Sequence, residues 1–218
     1  MDGQKIKSLF KKIFHFFWEE DSAWSWIANI AIAFLVIRFI FYPVLGLALG
    51  TSYPIVAVVS ESMEHGLHRS VLCGDSFRNW KGSFDNYWSA CGRWYEERSI
   101  TQEQFKEFPF RDGFDKGDVI ILWRSQQRNT KVGDILIFRG NRPQPIIHRV
   151  VRSWVEDGQS YYQTKGDHNS NSIEGDFGET RISKERIIGK GLVRIPYLGW
   201  IKILFVEAVR PLGINIQR

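Results

Sequence analysis

Residues 23–50 read AWSWIANIAIAFLVIRFIFYPVLGLALG, and no other stretch of the 218-residue chain constrains it more. A helix needs about 20 apolar residues to cross the hydrocarbon core of a bilayer. The run exceeds that length, with Asn29 and Arg38 as its strongly polar interruptions. A mid-bilayer arginine costs about 2.5–3.5 kcal/mol on insertion scales, so Arg38 is expected nearer one face or snorkelling. Pro43 is expected to kink or end the helix. A cleaved signal peptide would have a shorter apolar core, of about 7–15 residues. The expectation is a single membrane anchor over 22–50.

Ahead of it, in GQKIKSLFKKIFHFFWEE, Lys5, Lys7, Lys11 and Lys12 alternate with Ile6, Leu9, Phe10, Ile13 and Phe17. That spacing gives a helix one basic and one apolar face, suited to the surface of an anionic bilayer. Residues 1–21 are therefore read as an interfacial helix. Lysines on this side favour a cytoplasmic N-terminus and an extracytoplasmic remainder. A formal net charge of +5 also raises nucleic acid as a partner. No recognition-helix, zinc-finger or RNA-binding signature accompanies the charge, so the lipid bilayer is the expected partner and nucleic acid is not.

Beyond residue 50 the pattern turns to strands. YPIVAVVS (53–60) is a continuous apolar run that reads as a buried strand. KGDVIILW and VGDILIF each launch an apolar strand from a Gly-Asp turn, and their spacing suggests neighbouring strands. PIIHRVVRSWVE and SYYQTKG form a hairpin around DGQ, RIIGKGLVRIP is a further strand, and 179–186 has room for one helical turn. The fold class is mainly β: a β domain over 51–65 and 113–200 on an N-terminal transmembrane helix. Residues 66–112 hold both cysteines and little strand pattern, and read as an inserted subdomain or lid. Cys73 and Cys91 could be bonded, free, or combined with His65 and His68 in a zinc site of loose spacing. The apolar run YLGWIKILFVEAV (197–209), which leads into the C-terminal segment 201–218, is short for a membrane span and reads as core-packing or interfacial, with a marginal second anchor as the alternative.

Nucleophilic hydrolysis needs a hydroxyl at an exposed strand end, a base on a rigid neighbouring element, an acid to orient that base, and donors for the oxyanion. Ser62 follows the strand 53–60, His148 sits among apolar residues in PIIHRVV, and the loop KGDHNSNSIEGD carries Asp167, Glu174 and Asp176. None of these elements is specific alone. Their ordered set resembles the type I signal peptidase family, in its archaeal and endoplasmic-reticulum branch. The resemblance rests on an anchor, then TSYPIVAVVSESM, KGDVIIL, VGDILIF, PIIHRVV, TKGDHN and IIGKGLVRIPYLGW in that order. It implies a serine endopeptidase without cofactor or metal, acting on preprotein signal peptides after small residues. It places that enzyme in the cell or endoplasmic-reticulum membrane, with translocation machinery or accessory subunits as partners. By position, Ser62 would be the nucleophile, His148 the general base, and Ser60 an oxyanion donor with Met63 seating the turn. Asp167 matches the first acid of its box, while the second is open between Glu174 and Asp176. Two rivals remain: a silent membrane-tethered β binding or scaffold module, and a related Ser-Lys protease. The chain departs from the family pattern at Glu61, where Gly is more familiar, at His65, where SMEP becomes SMEH, and in the insert 66–112.

Overall fold

The computed structural model describes residues 3–78, 80–124, 130–141, 143–175, 178–209 and 211. The chain divides after Ala48 into two compact units.

The first unit is helical. Helix α1 (Gly3–Trp18) and helix α2 (Ala23–Val36) are joined by a short corner. Ser22 caps α2 by accepting the Ser25 N–H, while the Ser25 hydroxyl and the Asn29 amide donate to the Phe16 and Phe17 carbonyls of α1. A five-residue π-helical turn, Ile37–Phe41, leads into α3 (Tyr42–Leu49). Proline within a helix lacks an N–H and crowds the carbonyl four residues back. The wider turn immediately before Pro43 accommodates that, so the helix runs through the proline instead of stopping there. From Ala23 to Leu49 it spans 27 residues and is long and apolar enough to cross a membrane. The side chains of Lys5, Phe10 and Ile13, part of the amphipathic pattern, lie outside the described residues. Lys7, Lys11 and Lys12 are exposed.

The second unit is built on a six-stranded antiparallel sheet. Its strands are β1 (Ile55–Ala57), β4 (Val119–Trp123), β5 (Ile135–Phe138), β6 (Ile146–Glu156), β7 (Gln159–Lys165) and β8 (Ile187–Ile195), in the order β1-β4-β8-β5-β6-β7. The two Gly-Asp strands, β4 and β5, are not neighbours as their spacing suggests, because β8 lies between them. Their launching turns share one design. Gly117 and Gly133 take positive φ, and the following aspartate accepts the backbone N–H three residues before it, Asp118 from Asp115 and Asp134 from Lys131. Each aspartate then pairs with a base on the intervening strand, Asp118 with Arg194 and Asp134 with Lys190. That shared strand is what a local reading of spacing cannot reveal. The run 53–60 yields only a three-residue edge strand, since β1 pairs on one side alone. Beyond it the Val58 N–H donates to the Asp118 carbonyl and the Gly117 N–H to the Val58 carbonyl, which steers the chain beside β4. β6 and β7 form the expected hairpin, with Asp157 and Gly158 both at positive φ. The helical turn foreseen over 179–186 is a 3-10 turn, Lys184–Arg186, and the last described element is α6 (Trp200–Val209).

Residues 66–112 form helices α4 (Phe84–Glu96) and α5 (Gln102–Lys106) and a small hairpin of β2 (Val71–Leu72) and β3 (Asp75–Ser76). Ser83 and Thr101 cap the two helices, the latter in a full capping box with Gln104. Tyr87, Trp88, Cys91, Tyr95 and Phe105 form a buried core with Leu72 and Ile100, and it packs on Val151 of the sheet. Cys73 and Cys91 are joined in a disulfide, which removes the free-thiol and zinc alternatives. The bond ties the hairpin to α4 across 18 residues. Its removal by a Cys73→Ser/Cys91→Ser change is expected to lower stability by about 3 kcal/mol in the chain-entropy model. Denaturant unfolding of the purified chain with and without reductant measures this.

Candidate active site

Ser60 and Ser62 lie on a turn just past β1, closed by the Glu64 N–H donating to the Glu61 carbonyl. Ser60 is exposed and Ser62 half-buried, and their hydroxyls are hydrogen bonded at 3.2 Å. Met63 points inward at 1% exposure, into a core with Val58, Phe114, Ile120 and Leu122. The turn that presents the two hydroxyls thus places Met63 on its inner side. Its sulfur accepts the Asp167 N–H at 3.4 Å and its carbonyl accepts the Phe114 N–H. Glu61 is tied to the Lys116 ammonium at 3.1 Å. Partial burial works against its ionisation, but the lysine outweighs that and its carboxyl titrates below the usual value.

His148 sits on β6, paired with Leu136 of β5, and is buried. Its Nδ1 meets the carboxylate of Glu179 in a short, direct contact. Glu179 is itself fully buried. The Thr164 hydroxyl donates to Oε1 at 2.9 Å and the Ile173 N–H to Oε2 at 2.8 Å. A carboxylate on Nδ1 keeps the ring proton there and leaves the Nε2 lone pair free.

That Nε2 faces the serine turn across Gly166. The Ser62 carbonyl and the His148 Nε2 stand 2.7 and 2.8 Å from the point a Gly166 Cβ would occupy. The neighbouring His168 N–H donates to the Ser62 carbonyl at 2.9 Å. The loop after β7 is therefore the spacer between serine and histidine, and glycine is required because a side chain would enter the gap. Gly166→Ala is expected to reduce kcat on the order of 10²-fold, the scale of a displacement of about 1 Å, with KM much less affected. Steady-state kinetics checks this.

Ser60, Ser62, Met63, His148 and Asp167 are thus brought together. The acids are sorted differently from the sequence expectation. Asp167, the box match, does not meet His148. It forms a buried ion pair with Arg149, whose Nε and terminal nitrogen reach it at 2.9 and 2.7 Å, and it also contacts Tyr95 and His65. Burial alone would raise the Asp167 pKa, but Arg149 and His65 hold it far below the usual carboxylate range. His148 and Arg149 are successive residues on a strand, so their side chains leave opposite faces, and one acid cannot serve both. Glu174 is exposed in the loop, and Asp176 lies outside the described residues. Glu179 carries no local signal in the sequence: it lies 12 positions beyond Asp167, in a stretch that reads as the start of a helical turn. The signal that places it is tertiary: its carbonyl accepts the Thr164 N–H, which pairs the loop back onto β7.

Lys165 is buried beneath the same loop. It donates to the Gly166 and Asp167 carbonyls and lies over the rings of Trp94 and Tyr95. Burial pushes its pKa down to about 8, against the pull of Asp167 and Glu179. Among the described residues no group of three or more His, Cys, Asp or Glu side chains could hold a metal ion.

No family model matches the chain. Relatives do. Over 99 residues the chain is 35% identical to the signal peptidase complex catalytic subunit of Colletotrichum graminicola, covering 43% of this chain and 57% of that protein. It is 36% identical over 100 residues to the subunit of the same name from Lachancea thermotolerans (43% and 59%), and 32% identical over 98 residues to that from Yarrowia lipolytica (43% and 56%). The chain thus spans somewhat over half the length of the curated relatives it matches. Over that stretch it is a homologue of proteins named as catalytic subunits of the signal peptidase complex, and its mainly β domain following an apolar N-terminal helix is the architecture that the resemblance in its sequence boxes implies.

Proposed function

We propose that the protein is a membrane-anchored serine endopeptidase that removes signal peptides from exported preproteins, cleaving after small residues. The observation that carries this reading is the His148–Glu179 pair, with the free ring nitrogen turned toward Ser62 across Gly166. In the reaction, Ser62 Oγ attacks the scissile carbonyl as His148 Nε2 accepts its proton. Glu179 keeps the other ring proton in place and stabilises the imidazolium that forms. The Ser62 N–H and the Ser60 hydroxyl donate to the oxyanion. Protonated His148 then returns its proton to the leaving amine, giving an acyl-enzyme, and water activated by the same nitrogen releases the signal peptide. The Ser62–Ser60 hydroxyl bond gives way to a Ser62–His148 bond when substrate fills the site.

The helix Ala23–Leu49 spans the bilayer in this reading, with the N-terminal lysines on the cytoplasmic side and the second unit on the other. Anchoring raises the local concentration of membrane-borne substrate. The names of the relatives add accessory subunits as the expected partners. A Ser-Lys dyad is not favoured, because Lys116 and Lys165 are committed to Glu61 and to loop carbonyls. The test is cleavage of a preprotein by the full chain in detergent, with the new N-terminus sequenced. Cleavage after a small residue, lost in Ser62→Ala, supports the reading. Equal cleavage by Ser62→Ala overturns it.

A further inference from the structure

The loop between Ser62 and His148 is gripped by the insert at three residues, Asp167, His168 and Asn171. The Tyr87 hydroxyl donates to the Asp167 carbonyl and the Tyr95 hydroxyl to the Asp167 carboxylate, both at 3.1 Å. The Cys73 N–H donates to the His168 carbonyl at 2.9 Å, and the Trp94 indole N–H to Asn171 at 3.0 Å. On its other side the same loop holds the serine turn, through the Asp167 N–H on Met63 and the His168 N–H on Ser62.

One side chain joins the two sides directly. His65 lies three residues past Ser62, at the point where the insert begins. Its Nε2 stands 3.0 Å from Asp167 Oδ2, and its ring lies flat on Tyr87 of α4 with centroids 3.5 Å apart. The far end of the insert closes on it as well. A Cβ on Gly113 would stand 2.7 Å from His65 Cδ2 and 2.2 Å from the Met63 carbonyl. The insert therefore starts from His65, stacks a helix on it and ends against it.

We propose that His65 is a positioning residue: by bonding Asp167 and stacking on Tyr87 it locks the serine turn to the insert, so that the insert sets the placement of Ser62 against His148. This rests on the assignment of Ser62 and His148 as nucleophile and base. His65 transfers no proton to the substrate. It acts through Asp167 and the turn, adding a side-chain tie to the insert to the ties the turn already has through Met63, Lys116 and the His168 N–H.

Two substitutions separate the polar contact from packing. His65→Phe keeps the ring on Tyr87 and removes the bond to Asp167, whereas His65→Gln keeps a donor for Asp167. The expected result is a kcat lowered about tenfold or more in His65→Phe with KM within about twofold, and kcat largely retained in His65→Gln. Hydrogen exchange at the His168 amide, which holds the Ser62 carbonyl, is expected to quicken in His65→Phe and not in His65→Gln. Equal kcat in His65→Phe and wild type, or equal losses in the two variants, would overturn the proposal. If wild type itself cleaves no preprotein, the assignment of function fails. The exchange measurement then decides alone, and unchanged His168 exchange in His65→Phe contradicts the coupling.

Discussion

Glu179→Gln is expected to lower kcat about 10⁴-fold, the scale seen when the acid of a serine triad is made neutral. The substitution preserves volume in a fully buried site. An amide placed at Nδ1 donates to it, which moves the ring proton to Nε2 and removes the lone pair that the proposed reaction needs. The Thr164 hydroxyl and the Ile173 N–H, which now share the two carboxylate oxygens, can no longer both be accepted. That leaves one buried donor unpaired and adds a stability cost of about 1–3 kcal/mol. The signature is a loss in kcat far exceeding what that cost explains, measured beside a melting curve for the same variant. Activity within tenfold of wild type would mean that another group orients His148.

Asp167→Asn has the opposite signature. Removing one charge strands Arg149, which is fully buried and otherwise donates to the Pro109, Gly133 and Phe110 carbonyls. Breaking a buried ion pair in this way costs about 3–5 kcal/mol. The effect falls first on stability, because Asp167 ties β6, the loop after β7 and the insert together, and on kcat only through the turn. The same pair sets an acid limit. The folded pKa of Asp167 is far below its unfolded value, so the folded state binds fewer protons as acid is added. Its stabilisation is complete above about pH 5 and drains away progressively as pH falls toward the folded value. Denaturant midpoints across acidic pH should fall steeply in wild type and more shallowly in Asp167→Asn. Parallel slopes would show that Asp167 is not held ionised by Arg149.

Side by side, these two variants assign the acids that the sequence left open. Much of the architecture is legible in the sequence. The apolar run, the β6–β7 hairpin with Asp157-Gly158 at its tip, and the Gly-Asp launches are local signals, set by hydropathy and by residues that tolerate positive φ. That Ser62 and Met63 follow a strand and that His148 lies on one is legible because those strands have a recognisable pattern. What could not be read is what only the sheet brings together. β8 entering between β4 and β5 is a matter of strand order, which spacing does not encode. Glu179 reaches His148 because the loop folds back on Thr164, and Asp167 is drawn away by Arg149 because adjacent strand residues face opposite ways. His65 reads in the sequence as a departure from SMEP, and its contacts with Tyr87 and Asp167 come only from the fold.

In the proposed reaction Ser62, His148 and Glu179 act as one unit on a signal peptide. Preprotein cleavage by the full chain in detergent, compared across Ser62→Ala, His148→Ala, Glu179→Gln and their double combinations, tests it most directly. Groups that work as a unit are strongly non-additive, so the doubles should be no slower than the slowest single. Losses that multiply, or a His148→Ala variant that cleaves like wild type, would contradict the account.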